Sequence, residues 1–211
     1  AGGPVDFGFV GDIDSVDTDV VRAQLENGMV PIVSPLSADE NGTVLNIHAD
    51  TVAAALATSL RASKLILTMG APGILEDRHN PSSLVSYLDL EDLQELRTNG
   101  SLAEGMLPKA RAIEAAIKGG VPRVHLISYK IPDSLLLEIF TNEGTGTLVV
   151  EDTDTLTPEE QEAGAAQEQA LEDGQRLRAA EGAHVLDLAA EANRRAARVL
   201  QEPDSLQAGL E

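Results

Sequence analysis

Three short segments carry side chains whose types and spacing suit the handling of a phosphate. Leu45-Asn46-Ile47-His48-Ala49-Asp50 alternates polar and apolar residues and runs into an Ala-rich helical stretch. The unpaired amides and the dipole of a helix N-terminus attract anions. Asp50 is suited to cap that helix by accepting hydrogen bonds from the first-turn amides, a role compatible with a second one. Gly105-Met106-Leu107-Pro108-Lys109 sets a glycine, which permits close backbone approach, ahead of a lysine in the first turn of another helix. A cation there opposes the helix dipole, so Lys109 is either a solvated surface charge or a charge held for an incoming phosphate. Thr68-Met69-Gly70-Ala71-Pro72-Gly73-Ile74-Leu75 is a Gly/Pro loop at the carboxyl end of a predicted strand. Open α/β sheets bind ligands at such ends, although alone the loop is only a turn.

Other phosphate and metal chemistries are not supported. No glycine-rich loop ends in Lys-Ser/Thr, and no dinucleotide glycine fingerprint follows a strand. His48, His79, His125 and His184 lack metal-ligand spacing, and no metal-binding residue is assigned.

The elements that must position these segments alternate. Val30 to Ser34, Lys64 to Thr68, Arg123 to Ser128 and Thr147 to Val150 are short apolar runs rich in branched residues, as buried strands are. Between them, residues 50–60, Leu90 to Leu96, Pro108 to Lys118 and Pro132 to Phe140 read as helices, the first opening at Asp50 and the third stopped by Gly119-Gly120. Alternation of this kind predicts an α/β fold, a three-layer αβα sandwich with a mainly parallel sheet. After Val150 the composition turns to Glu, Ala, Gln and Arg, with Thr157-Pro158-Glu159-Glu160 as a helix start signal. The expected division is a domain over residues 1–151 and an acidic helical extension over 152–211, whose Gly164, Gly174 and Gly182 interrupt the pattern. Val185, Leu186, Leu188, Ala189, Ala192, Ala196, Val199 and Leu200 form a stripe expected to pack on the main domain or a neighbouring subunit.

With 35 acidic and 15 basic residues among 211, the net charge of −20 argues against nucleic acid and anionic membranes as partners and favours small molecules. Such acidity fits either a salty cytoplasm or an ordinary acidic enzyme. The absence of cysteine excludes disulfides and thiolate metal sites and is compatible with an intracellular compartment. No run of about 18 apolar residues is present to span a bilayer, so a soluble, cytoplasmic protein is expected.

From Val5 to Val150 the segments fall in an order that resembles the acetylglutamate kinase branch of the amino-acid kinase family. The marks are Phe9-Val10-Gly11-Asp12, Asn46-Ile47-His48-Ala49-Asp50, Pro72-Gly73-Ile74-Leu75, Gly105-Met106-Leu107-Pro108-Lys109 and Glu143-Gly144-Thr145-Gly146-Thr147. The resemblance is to the carboxy-terminal, nucleotide-binding half, and it implies transfer of the γ-phosphoryl group of ATP to the side-chain carboxylate of N-acetyl-L-glutamate in arginine biosynthesis. It further implies that Asn46 holds the acetylglutamate, Asp50 organises the catalytic lysines and Lys109 contacts the phosphates. Thr68, Gly70, Gly73, Gly105 and Met106 would line the nucleotide, with Mg²⁺ carried by ATP. Two departures stand out: Met69-Gly70-Ala71 replaces the Thr-Asp-Val of many relatives, and His48 replaces an asparagine. No Lys-Xaa-Gly-Gly precedes Val5, so the chain alone is expected to have an incomplete acceptor site and little turnover. Homo-oligomerisation is a family expectation.

Two other readings compete. The domain is similar to the non-catalytic, arginine-sensing part of an acetylglutamate synthase, a reading disfavoured by the retained Asp50 and Lys109 and by the lack of an acetyltransferase pattern after Val150. Alternatively it is a regulatory module in which His125, Glu143 and Gly146, which resemble the arginine-binding region of arginine-inhibited kinases, bind arginine as an inhibitor.

Overall fold

A computed structural model describes residues 8–77, 79–80, 83–102, 104–140 and 145–173. Glu143 and the stripe from Val185 to Leu200 lie outside the described residues. The chain divides into a unit of residues 1–168 and one of 169–211; residues 169–173 of the latter are helical.

In the first unit, α1 (Asp19–Glu26) precedes a small antiparallel pair, β1 (Leu36–Ala38) and β2 (Val44–Asn46). There follow α2 (Ala49–Leu60), β3 (Leu65–Met69), β4 (Tyr87–Leu88), α3 (Leu90–Thr98), α4 (Leu107–Lys118), β5 (Val124–Ser128), α5 (Ser134–Phe140) and β6 (Thr147–Val149). Residues 158–168 form a further helix, α6.

The main sheet has the order β3-β5-β6-β4. β3 runs parallel to β5 and β4 parallel to β6, while β5 and β6 are antiparallel. Every residue of β5 is buried, as befits an inner strand covered on both faces. Val124 and Leu126 point to one face and join Leu65, Leu67, Leu88 and Val149 in the core beneath α2, α3 and α4. His125 and Ile127, one residue out of phase, point to the other face, where Glu138 of α5 meets His125 and Gly164 of α6 abuts Tyr87. Helices on both faces of the sheet make the expected three layers.

α2 and α4 lie side by side and run the same way: Asp50 meets Lys109 at their first turns, and Gly119 just past α4 meets Thr58 near the end of α2. The small Ala54, Ala57, Ala110, Ala112 and Ala116 are buried in the core, and their lack of bulk lets the two backbones approach closely.

Two expectations need correction. Val30 to Ser34 is not a strand: Val30 is 87% and Ile32 99% exposed. An apolar run becomes a strand only against a neighbour's edge, none among the described residues pairs with it, and Pro31 lacks a donor. The helix expected to open at Asp50 starts one residue earlier with His48 at the N-cap, so Asp50 sits inside the first turn and its carboxylate meets Lys109. The start signal after Leu156 behaves as a capping box, with Glu160 N–H on Thr157 Oγ1 at 3.2 Å and Thr157 N–H on Glu160 Oε2 at 2.8 Å.

Candidate functional site

The chain passes from α2 into β3 and from α4 into β5, so the carboxyl ends of the two parallel strands lie at the edge where α2 and α4 begin. Two helix N-termini side by side add their positive ends, which favours an anion at that edge. Into it Lys109 brings a cation from the first turn of α4, and Nζ donates to Asp50 Oδ1 at 2.7 Å. The two side chains are only 12% and 17% exposed, so each charge depends on the other for compensation. Pro108 is tolerated within the first turn of α4 because no intrahelical donor is lost there. Asp50 also faces His48, whose Nδ1 is 3.8 Å from Oδ2.

The remaining residues expected at this site fall on the same edge. Thr68 is the penultimate residue of β3, and Gly70 and Gly73 form the loop that follows. A Cβ at Gly70 would lie 2.8 Å from the Tyr129 hydroxyl, and one at Gly73 would lie 2.5 Å from Thr147 Oγ1. The same hydroxyl accepts from Ile74 N–H at 2.9 Å and donates to Val85 carbonyl at 2.7 Å, which pins the loop to the sheet. Gly105 and Met106 belong to a 3₁₀ turn leading into α4; Met106 packs on the core, whereas a Cβ at Gly105 would meet nothing within 4 Å. Asn46 ends β2, two residues before the α2 N-cap, with its backbone tied to Phe9 and Gly11 and its side chain exposed. Among the described residues no group of three His, Cys, Asp or Glu is placed to hold a metal.

His125 and Gly146 are elsewhere, together. Both line a cavity of about 230 Å³ on the opposite face of the sheet, with Lys64, Tyr87, Glu138 and Glu159. His125 Nδ1 is hydrogen-bonded to Glu138 Oε1, and Glu138 Oε2 accepts from Thr145 N–H at 3.0 Å and its hydroxyl at 3.1 Å. His125 Nε2 is buried and has no hydrogen-bond partner among the described residues. Glu138, Lys64 and Glu159 were not singled out from the sequence. Glu138 had a signal: it is the lone charge in Ser134-Leu135-Leu136-Leu137-Glu138-Ile139-Phe140, a helix otherwise apolar after its first residue.

Burial pushes the Glu138 carboxyl up, but hydrogen bonds from His125 and Thr145 outweigh it and hold the group below its ordinary value of 4.5. A carboxyl depressed on folding adds stability that is fully present above its unfolded value and lost as pH falls through its folded one. Glu138→Gln is therefore expected to flatten the acid limb of stability below about pH 5 in urea melts. Wild-type and variant curves that stay parallel from neutral to acid would show that the pair does not couple to folding.

The amino acid kinase family model matches residues 2–128. Acetylglutamate kinase of Myxococcus xanthus is 51% identical over 146 residues, 69% of this chain and 47% of that one. Acetylglutamate kinase of Methanococcoides burtonii is 43% identical over 149 residues, 71% of this chain and 49% of that one. The chain thus spans about half the length of the curated relatives it matches. Among solved structures, N-acetylglutamate synthase from Neisseria gonorrhoeae, complexed with coenzyme A and L-arginine, superposes with a TM-score of 0.64 at 30% identity, covering 70% of this chain and 34% of that one. Carbamate kinase from Giardia lamblia bound to AMP-PNP, at 21% identity and a TM-score of 0.52 over 65% of this chain and 45% of that one, shares the fold.

Proposed function

The chain belongs to the amino acid kinase family, and from that membership we propose that it serves ATP-dependent phosphorylation of the side-chain carboxylate of N-acetyl-L-glutamate, in the cytoplasm and as part of a homo-oligomer. The observation that carries the reading is the Lys109–Asp50 pair at two parallel helix N-termini. In the reaction a carboxylate oxygen attacks the γ-phosphorus, the bond from that phosphorus to the β,γ-bridging oxygen breaks, and ADP departs, leaving an acyl phosphate. Such a transfer needs alignment and positive charge about the phosphoryl oxygens more than covalent help. Lys109 and the first-turn amides of α2 and α4 supply that charge, Asp50 holds the lysine in place, and Asn46 at the entry of α2 orients the acceptor. The open backbone at Gly105 leaves room for a nucleotide, lined also by Thr68, Gly70, Gly73 and Met106. Mg²⁺ carried on ATP neutralises the β- and γ-oxygens when bound and needs few protein ligands.

Calorimetric titration of MgATP is expected to give saturable binding to this chain. Hydroxylamine trapping of the acyl phosphate, in whatever assembly turns over, is expected to require N-acetyl-L-glutamate rather than glutamate. A folded chain that binds no MgATP would overturn the reading. A non-catalytic part of a synthase is the weaker alternative, since the kinases above are 43–51% identical and the synthase 30%.

A second site is favoured by one specific observation: His125 and Gly146 line a single cavity with the carboxylate of Glu138, whose side chain is 7% exposed. The reading is that this cavity binds arginine as an inhibitor.

A further inference from the structure

The cavity beside His125 has a wall that the family match does not account for. The family model ends at residue 128, whereas Thr157, Glu159, Glu160 and Gly164 of the α6 segment line the cavity. The contacts are built in on both sides. Arg123, at the foot of β5, holds Glu160 through a two-pronged ion pair and donates to the Thr155 carbonyl at 2.9 Å. Gln167 Nε2 donates to the Gly146 carbonyl at 2.9 Å. Gly164 has no room for a side chain, since a Cβ would lie 2.6 Å from the Tyr87 ring. A glycine in mid-helix costs about 1 kcal/mol against alanine, and here it permits close seating of the helix.

With the helix seated, about 230 Å³ stays open. Two opposite charges, both exposed, stand at its rim with no hydrogen-bond partner among the described residues: Lys64, just before β3 and also felt by Glu160, and Glu159 from α6. The buried Nε2 of His125, unpaired among the described residues, adds a third polar group. A zwitterion with a cationic side chain matches this set, its carboxylate toward Lys64 and its cation toward the acidic wall.

Resting on the arginine reading above, we propose that the α6 segment completes the cavity as its acidic wall. Glu159 supplies a carboxylate to the cationic group of the bound amino acid, and Gln167 fixes the Gly146 carbonyl, so ligand and helix stabilise one another. A ligand that needs the seated helix suppresses its local opening by the factor 1 + [L]/Kd, about elevenfold at ten times Kd.

The test uses the full 211-residue chain with L-arginine as the probe. Amide exchange across residues 158–168 is expected to slow by about tenfold at ten times Kd. The double variant Glu159→Gln/Gln167→Leu is expected to bind arginine about tenfold more weakly by calorimetry, with the rest of the sheet still protected. If wild type and double variant bind alike and exchange in 158–168 is unmoved, α6 is a bystander and the proposal falls, while the cavity reading stands provided Glu138→Gln abolishes binding. If the folded wild-type chain binds no arginine, both fall.

Discussion

Lys109→Ala is expected to weaken MgATP binding by at least about tenfold, the loss of one charge-assisted contact to phosphate, while lowering stability by less than Asp50→Ala does. The asymmetry follows from where the two partners sit. Without the lysine, Asp50 keeps its place in the first turn of α2, where the helix dipole favours an anion. Asp50→Ala does the reverse: it strands a mostly buried lysine in the first turn of α4, against the dipole, and should cost about 1–3 kcal/mol. The milder Asp50→Asn should leave MgATP binding within a few-fold or tighten it, since it frees the cation, yet slow turnover by misplacing it. Calorimetry paired with urea melts of the three variants separates these effects. If Lys109→Ala costs more stability than Asp50→Ala and leaves nucleotide affinity intact, the pair is a structural ion pair and not part of a phosphate site.

That pair shows what was and was not legible in the sequence. Each segment announced itself locally: an acid entering an Ala-rich helix, and a lysine on the wrong end of another. The contact between them spans 59 positions and depends on α2 and α4 lying parallel, which no local pattern encodes. β3 and β5 were readable because buried inner strands are continuous apolar runs, and the helix start at Thr157 because its capping box is a local hydrogen-bond circuit. Val30 to Ser34 has the composition of a strand but, among the described residues, no edge to pair with, so composition misled. The cavity around Glu138 went unread for a related reason. Its lining comes from β4, β5, α5, β6 and α6, assembled by sheet order, and sheet order was not predicted beyond its mainly parallel character.

Gly146→Ala is expected to be the most damaging single methyl in the described unit. Its Cβ would lie 1.8 Å from the carbonyl oxygen of Leu126 and 2.9 Å from the carbonyl carbon. Leu126 is fully buried in the inner strand β5, paired with Leu67 on one side and Thr147 on the other. The obstacle is therefore backbone in a ladder held from both edges, and no rotamer change relieves it. β6 would have to move off β5, which breaks their antiparallel pairing and draws Gly146 away from Gln167. A loss of at least about 3 kcal/mol is expected, seen as a fall in melting temperature of roughly 6–12 °C. Gly105→Ala is the matched control, because a Cβ there meets nothing within 4 Å and should change stability by no more than about 0.5 kcal/mol. If Gly105 instead marks where a nucleotide approaches the backbone, the same silent methyl should weaken MgATP binding in a chain as stable as wild type. A Gly146→Ala chain that melts like wild type would mean that β5 and β6 do not pair as described, and a cavity built on their junction could not stand.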